Sequence, residues 1–189
     1  IVTDDDGAMT RIVEKPSEPV SKLANIGLYY IRDHAMLFEG VRHVLASDPG
    51  PSGEFYLTDA FQYMVDQGSK LLTAPVAGWY DCGKPDTLLA TNDHLLRTTR
   101  GGVAQSVGVE ATTLGEHIRV EAGVMLEGST LGNNVTIEAG ARIVNSSLRR
   151  CMIGPGAVIE NSVLRDSIVG GHSSIRGFDG SLSVADHSV

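Results

Sequence analysis

Between residues 103 and 176 large aliphatic side chains recur every five or six positions. They are Val103, Val109, Leu114, Val120, Leu126, Leu131 and Ile137, then Ile143, Leu148, Ile153, Ile159, Leu164, Val169 and Ile175. The stretch from Ile137 to Met152 is followed at once by a second copy, and a third begins at Val169. The pairs Asn145-Ser146 and Asn161-Ser162 align between copies. Such fixed-period self-similarity predicts a solenoid, in which each repeat buries its apolar edge only by stacking on its neighbours. Neither a helical period nor strict alternation accounts for this spacing. A coil with three short flat sides and one inward aliphatic per side does. Gly115, Gly132, Gly154 and Gly170 follow inward positions, where the pattern predicts tight corners of unusual φ. An amphipathic helix is a poor rival, because glycine and β-branched residues are too dense.

The first hundred residues follow another pattern. Val2-Thr3 and Met9 to Val13 flank Asp-Asp-Gly7 and predict a hairpin. Asn25 to Ile31 reads as a buried-type strand, and Lys70 to Val76 as a further one. Asp33 is placed to cap a helix carrying Met36, Leu37, Val41, Val44 and Leu45, which ends before Asp48-Pro-Gly50. Thr58 or Asp59 is placed to cap a second helix with Phe61, Met64 and Val65 on its apolar side and Gly68 as its stop. Pro85 opens a third, where its missing N–H costs nothing, and Leu88, Leu89, Leu95 and Leu96 form its apolar face. Strands alternating with helices predict an α/β layer structure over residues 1–100, and Arg100-Gly-Gly102 marks the joint to the solenoid at 101–189.

Charge and composition narrow the function classes. The net charge of −8 opposes binding to a nucleic-acid backbone or an anionic membrane surface. No apolar run reaches transmembrane length and no signal-peptide pattern is present, so a cytoplasmic protein is expected. Cys82 and Cys151 lie in different modules and suggest neither a disulfide framework nor a metal cluster.

Three motifs in the first module carry chemistry. Glu14-Lys15-Pro16 places an acid and a base beside a rigid φ at a strand end. Asn25-Ile-Gly27-Leu-Tyr29 puts a glycine where a ligand could approach a strand closely. Gly78-Trp79-Tyr80-Asp81-Cys82-Gly83-Lys84-Pro85 sets an aspartate just before a helix start. Singly each is weak, since a Glu-Lys-Pro is most often a solvated turn and an Asp before a Gly a turn or cap. In this order, with Gly53-Glu54 to Thr58-Asp59 between them, they resemble the C-terminal half of the sugar-1-phosphate nucleotidyltransferases, and most of all long-form glucose-1-phosphate thymidylyltransferase. The repeat region resembles the hexapeptide left-handed parallel β-helix, with about four coils over residues 103–176.

The resemblance implies a partial Rossmann-like domain followed by a left-handed β-helix. It implies attack of a sugar 1-phosphate, glucose 1-phosphate being expected, on the α-phosphorus of a nucleoside triphosphate, expected to be dTTP, with release of pyrophosphate. Lys15 matches the lysine that binds the sugar phosphate. Glu14 matches the residue holding sugar hydroxyls, Gly27 lines the same pocket through its backbone, and Tyr29 is either pocket wall or core. Asp81 matches a Mg²⁺-binding carboxylate; a single carboxylate suffices because Mg²⁺ takes phosphate oxygens and water besides. Glu54 and Asp59 read as structural. The family's Gly-rich loop ending in Gly-Thr-Arg is absent, and the chain opens at Ile1, so a truncated enzyme lacking its nucleotide-binding half and inactive alone is expected. Homo-oligomers are expected of the β-helix. Two other classes stand beside this one: a non-catalytic scaffold subunit of the same family, and an acyltransferase using a solenoid histidine. For the latter, His117 and His172 sit on repeat positions, with His94 and His187 outside the regular coils.

Overall fold

The computed structural model describes residues 1–49, 53–99 and 101–189, and the chain forms two compact units, Ile1–Trp79 and Tyr80–Val189. Gly50 and Arg100, named above at a helix end and at the module joint, lie outside the described residues.

In the first unit, β1 (Val2–Thr3) and β2 (Met9–Arg11) form the expected antiparallel hairpin. Asp4 Oδ1 accepts the N–H groups of Asp6 (3.0 Å) and Ala8 (2.8 Å), and Gly7 closes the turn at φ 77°. Helix α1 (His34–Leu45) starts at Asp33, whose carboxylate accepts the Met36 N–H at 3.1 Å. Helix α2 (Leu57–Asp66) starts two or three residues earlier than a cap at Thr58 or Asp59 would set it, with Tyr56 at the cap position. The two helices meet at Gly40, where a Cβ would lie 2.8 Å from the Ala60 carbonyl oxygen. Met9, Ile12, Phe61 and Met64 form the small core.

Two expected strands do not form. Residues 25–31 bend at Gly27, φ 78°, and join no sheet, and Leu28 and Tyr30 are 80% and 90% exposed. Residues 70–76 contribute one bridge, Ala8 to Leu72. An apolar, β-branched stretch becomes a strand only when a neighbouring backbone takes up its N–H and C=O groups. No described segment of the unit offers that ladder to residues 25–31.

The second unit opens with α3 (Pro85–Thr98), with Pro85 in its first position as expected. Thr87 Oγ1 accepts the Lys84 N–H at 3.2 Å. Leu89 and Leu96 are buried, whereas Leu95 is half exposed. The helix packs on strands of the solenoid, so the boundary between units falls at 79/80, ahead of the helix and not after it.

The solenoid is a left-handed parallel β-helix of five turns. The first comprises β3 (Gly102–Val103), β4 (Gly108–Glu110) and β5 (Thr113–Leu114), and the second β6 (Ile118–Val120), β7 (Met125–Glu127) and β8 (Thr130–Leu131). The third turn continues with β9 (Val135–Ile137) and β10 (Arg142–Val144), and from there β11 (Ser147–Ile153) and β13 (Val163–Val169) run around a corner, alternating with the short β12 (Val158–Glu160) and β14 (Ser174–Arg176). Pairing is parallel and in register. Leu126, Ile143, Ile159 and Ile175 stack on one side, and Val120, Ile137, Ile153 and Val169 on another. Of the thirteen inward positions from Val109 onward, those from Val120 to Val169 are at most 2% exposed and Ile175 is partly buried. Val109 and Leu114 are corrections, at 48% and 39% exposure. They belong to the first turn, where Leu126 and Leu131 cover them from one side only.

The glycines after inward positions serve a purpose other than the expected one. Gly115, Gly132, Gly154 and Gly170 do not take positive φ. Instead the next turn passes too close for a side chain. A Cβ on Gly154 would lie 2.5 Å from the Gly171 nitrogen, and one on Gly170 would lie 2.4 Å from the Ala185 carbonyl carbon. The left-handed corners are made elsewhere, in columns one turn apart. Ala111, Gly128, Asn145, Asn161 and Gly177 form one column, with φ from 46° to 62°. That explains the Asn-Ser pairs. Asn tolerates the left-handed region, and the buried hydroxyls of Ser129, Ser146 and Ser162 each accept a backbone N–H from the next turn, at 3.1 Å.

The short strands β15 (Asp179–Gly180) and β16 (Ser183–Val184) pair in register with β13, so the coil runs on past residue 176 to Val184. His187, placed outside the coils from sequence, occupies a corner at φ 60° and stacks on His172, ring centroids 5.3 Å apart.

Candidate functional site

Glu14, Lys15, Gly27 and Tyr29 belong to the first unit and Asp81 to the second. Lys15 follows β2 in a left-handed conformation, φ 43°, immediately before Pro16. Pro16 disfavours the α region for the residue before it, so the turn holds Lys15 in a sparsely populated backbone state, a feature that clusters at functional sites. Its ammonium lies 3.3 Å from Glu54 Oε2 and 5.1 Å from the centre of the Tyr56 ring. The Tyr56 hydroxyl donates to the same Glu54 oxygen at 2.8 Å. Glu54 therefore sits between two donors. The Tyr56 hydrogen bond first, then the Lys15 hydrogen bond and charge, hold its carboxylate below the usual range. The Glu54 hydrogen bond and charge hold Lys15 above its own usual range. Both groups are solvent-exposed, so the pair adds little to stability. It keeps the ammonium charged and aimed.

Glu14 accepts from the Thr58 hydroxyl at 3.4 Å, which brings the Glu-Lys-Pro turn and the start of α2 together. Gly27 has φ 78°, with its N–H donating to Asn25 Oδ1 at 3.0 Å, and a Cβ there would meet nothing within 4 Å. Its need is for backbone conformation; the structure shows no crowding there. Tyr29 resolves as an anchored ring: it packs on Phe61 at 4.7 Å, and its hydroxyl accepts from Asn25. Glu54, which sequence reasoning set aside as structural, is thus Lys15's own partner. Glu54 is 39 positions away, and the only sequence signal for it was the Gly-Glu-x-x-x-Thr-Asp run that also holds Tyr56 and Thr58. The hollow beside this cluster is lined by Asp48, Glu54, Asp59 and Asp66 and would repel a phosphate.

Asp81 lies in the Tyr80–Lys84 segment leading into α3. Its Oδ1 accepts the Gly83 N–H at 3.0 Å, and its backbone carbonyl lies 3.3 Å from Thr91 Oγ1. No hydrogen bond or ion pair among the described residues engages its second carboxylate oxygen. Among the described residues no three Asp, Glu, His or Cys side chains gather as a complete metal site. Mg²⁺ does not require one, since it retains water and phosphate ligands. No described helix is long and apolar enough to cross a membrane.

The chain is 36% identical over 91% of its length to the low-salt glycan biosynthesis nucleotidyltransferase Agl11 of Haloferax volcanii, covering 48% of that protein. It is 31% identical over 92% of its length to a glucose-1-phosphate thymidylyltransferase of Streptomyces griseus, again covering 48%. It is 36% identical over 91% of its length to the bifunctional protein GlmU of Methanococcus vannielii, covering 40%. The chain therefore spans about half the length, or less, of these relatives. Residues 1–98 match the family model described as nucleotidyl transferase, a stretch that contains Glu14, Lys15, Gly27, Tyr29 and Asp81, and the chain belongs to the nucleotidyl transferase family.

Proposed function

We propose that this chain carries the sugar-phosphate side of a sugar-1-phosphate nucleotidyltransferase, with glucose 1-phosphate and dTTP as the substrates of the whole enzyme. A phosphate oxygen of the sugar 1-phosphate attacks the α-phosphorus of the triphosphate. One P–O bond forms, the bond to the β-phosphate bridge breaks, and pyrophosphate leaves with the electron pair. Nucleophile and electrophile are both anionic, so catalysis rests on positioning and charge neutralisation. The observation that carries the reading is the family match running across all five candidate residues. The name of the Streptomyces griseus relative supports the choice of sugar and base.

In this reading Lys15 is the cation that faces the sugar phosphate. Glu54 and Tyr56 hold it charged and oriented before substrate arrives, and the phosphate takes over part of the role of Glu54. Glu14, steadied by Thr58, accepts from sugar hydroxyls. Gly27 offers its carbonyl and an unobstructed backbone, with the anchored Tyr29 ring beside it. Asp81 would hold Mg²⁺, which when bound would neutralise phosphate charge; Gly83 orients the carboxylate by its N–H.

The test is binding rather than turnover, since the chain spans half of its relatives. Calorimetric titration of glucose 1-phosphate into the chain and its Lys15→Ala variant should show affinity reduced at least about tenfold, the loss of one charged hydrogen bond. Equal affinities, or no binding by the unmodified chain, would refute the assignment.

A further inference from the structure

We propose that α3 and the β-helix form a positioning frame for the Asp81 carboxylate, with His94 and Thr91 as positioning residues and Asp93 as the anchor to the solenoid. The consequence for chemistry rests on Asp81 as the Mg²⁺ carboxylate; the mechanical claim does not. Both ends of the frame lie in one compact unit, Tyr80–Val189.

The solenoid end is specific. Buried Leu89, Asn92 and Leu96 recur at three- and four-residue spacing and form the helix face that packs on β11 and β13. Asn92 Oδ1 accepts from the Thr136 hydroxyl at 2.8 Å. Asp93 Oδ2 accepts from Arg150 Nε at 2.6 Å, and the same guanidinium donates through Nη1 to Asp166 at 2.8 Å. Arg150 thus ties the helix to two successive corners of the coil. Both it and Asp93 are largely covered, with side-chain exposures of 32% and 16%, so the pair is less screened than a surface one.

The other end reaches the segment before the helix. Thr91 and His94 are three positions apart and so are neighbours on the helix surface. The His94 ring stacks on Tyr80 with centroids 4.2 Å apart and planes 24° from parallel. Its Nδ1 is 3.2 Å from the Tyr80 hydroxyl, either atom being donor according to the tautomer. Thr91 Oγ1 lies 3.3 Å from the Asp81 carbonyl and 2.9 Å from that of Thr87, so its one proton is divided between them and His94 is the stronger hold. Within the segment, the Gly83 N–H fixes Asp81 Oδ1, and a Cβ at Gly83 would stand 3.2 Å from that oxygen. A lone carboxylate serving Mg²⁺ must be aimed well, because the ion tolerates little departure from octahedral geometry. The frame supplies that aim.

Amide ¹⁵N relaxation on the full 189-residue chain tests this, comparing it with His94→Ala, His94→Gln, Thr91→Val and Asp93→Ala. In the unmodified chain the Cys82 and Gly83 order parameters should be close to the rigid value of ~0.85. In His94→Ala and Asp93→Ala they should fall toward ~0.6 or below while solenoid amides such as those of Val124 and Ile143 stay rigid. His94→Gln, which can still bond Tyr80, should recover most of the loss, and Thr91→Val should show a smaller one. Unchanged order at 82 and 83 in either alanine variant overturns the proposal. So does loss of order throughout the solenoid in both, since these residues would then be holding the fold and not the loop. Mn²⁺ titration separates the two readings. Broadening of the 81–83 amides that needs several-fold more Mn²⁺ in His94→Ala supports the link to metal. No broadening at any concentration in the unmodified chain would remove the metal assignment and leave the order-parameter result to decide the frame.

Discussion

Replacing Ile143 by alanine should be among the most damaging single changes in the β-helix. The side chain is fully buried, with Leu126 in register on one side and Ile159 on the other. Truncation removes three carbons, about 2.4 kcal/mol of transfer free energy at ~0.8 kcal/mol per group. Because parallel ladders fix both neighbouring turns, the gap cannot close by a shift of one strand, and a cavity term adds to the loss. A total of about 3–4 kcal/mol follows, in the middle of the range of about 2–5 kcal/mol for such substitutions. Leu114→Ala, at a site already 39% exposed, should cost roughly 1 kcal/mol or less by the same reasoning. Cys151 provides the assay, since it is wholly buried inside the same coil and a pulse of alkylating reagent at increasing urea reports solenoid opening directly. With a slope of about 2 kcal/mol per molar urea, the Ile143→Ala midpoint should fall by about 1.5–2 M and the Leu114→Ala midpoint by no more than about 0.5 M. Equal shifts in the two variants would refute the one-sided burial of the first turn. A shift under about 0.5 M for Ile143→Ala would refute the rigidity of the stack.

Native alkylation should consume one thiol, the exposed Cys82, and denatured alkylation two; two thiols reacting at native rates would contradict the burial of Cys151. Burial raises the Cys151 pKa above its ordinary value. Its folded state therefore favours the proton, and solenoid stability should be intact below the ordinary thiol range and decline as pH climbs through it toward the raised value. A Cys151→Ala variant should lose that alkaline decline, as urea midpoints followed by circular dichroism across this range would show. Asn161→Gly should change stability by less than about 0.5 kcal/mol, because φ there is 49°, whereas Asn161→Val should cost about 1–2 kcal/mol in the same unfolding measurement. Gly154→Ala should cost more than Asn161→Gly even though its φ is ordinary, since its Cβ would meet the Gly171 backbone at 2.5 Å; comparable thermal midpoints would count against that contact.

Much of the β-helix was legible in the sequence because its defining interaction repeats. Each inward aliphatic meets its equivalent one turn on, so a spacing along the chain, from Leu126 to Ile143 to Ile159, is also a contact in space. Caps and turns built from neighbouring residues were legible for the same reason. Asp33 holds a nitrogen three positions away, and Asp4 holds one four positions away. The order of short motifs was enough to place the chain in its family, since Glu14, Lys15 and Asp81 are recognised by what surrounds them in sequence.

Tertiary structure decided what depends on distances between segments remote in sequence. Only the packing of turn on turn shows that Gly154 and Gly170 are required by a passing backbone while Gly156, at φ 64°, is required by a left-handed corner. Only the fold sets Glu54 and Tyr56 against Lys15, or gives α3 to the solenoid through Asp93 and Arg150, 57 positions apart. The same limit explains residues 25–31, whose composition suits a strand but whose backbone finds no ladder among the described residues. Local chemistry is encoded by residue type and spacing. Steric clearance, strand partners and the charges that meet across a fold become defined only when distant parts of the chain are brought within a few ångströms of each other.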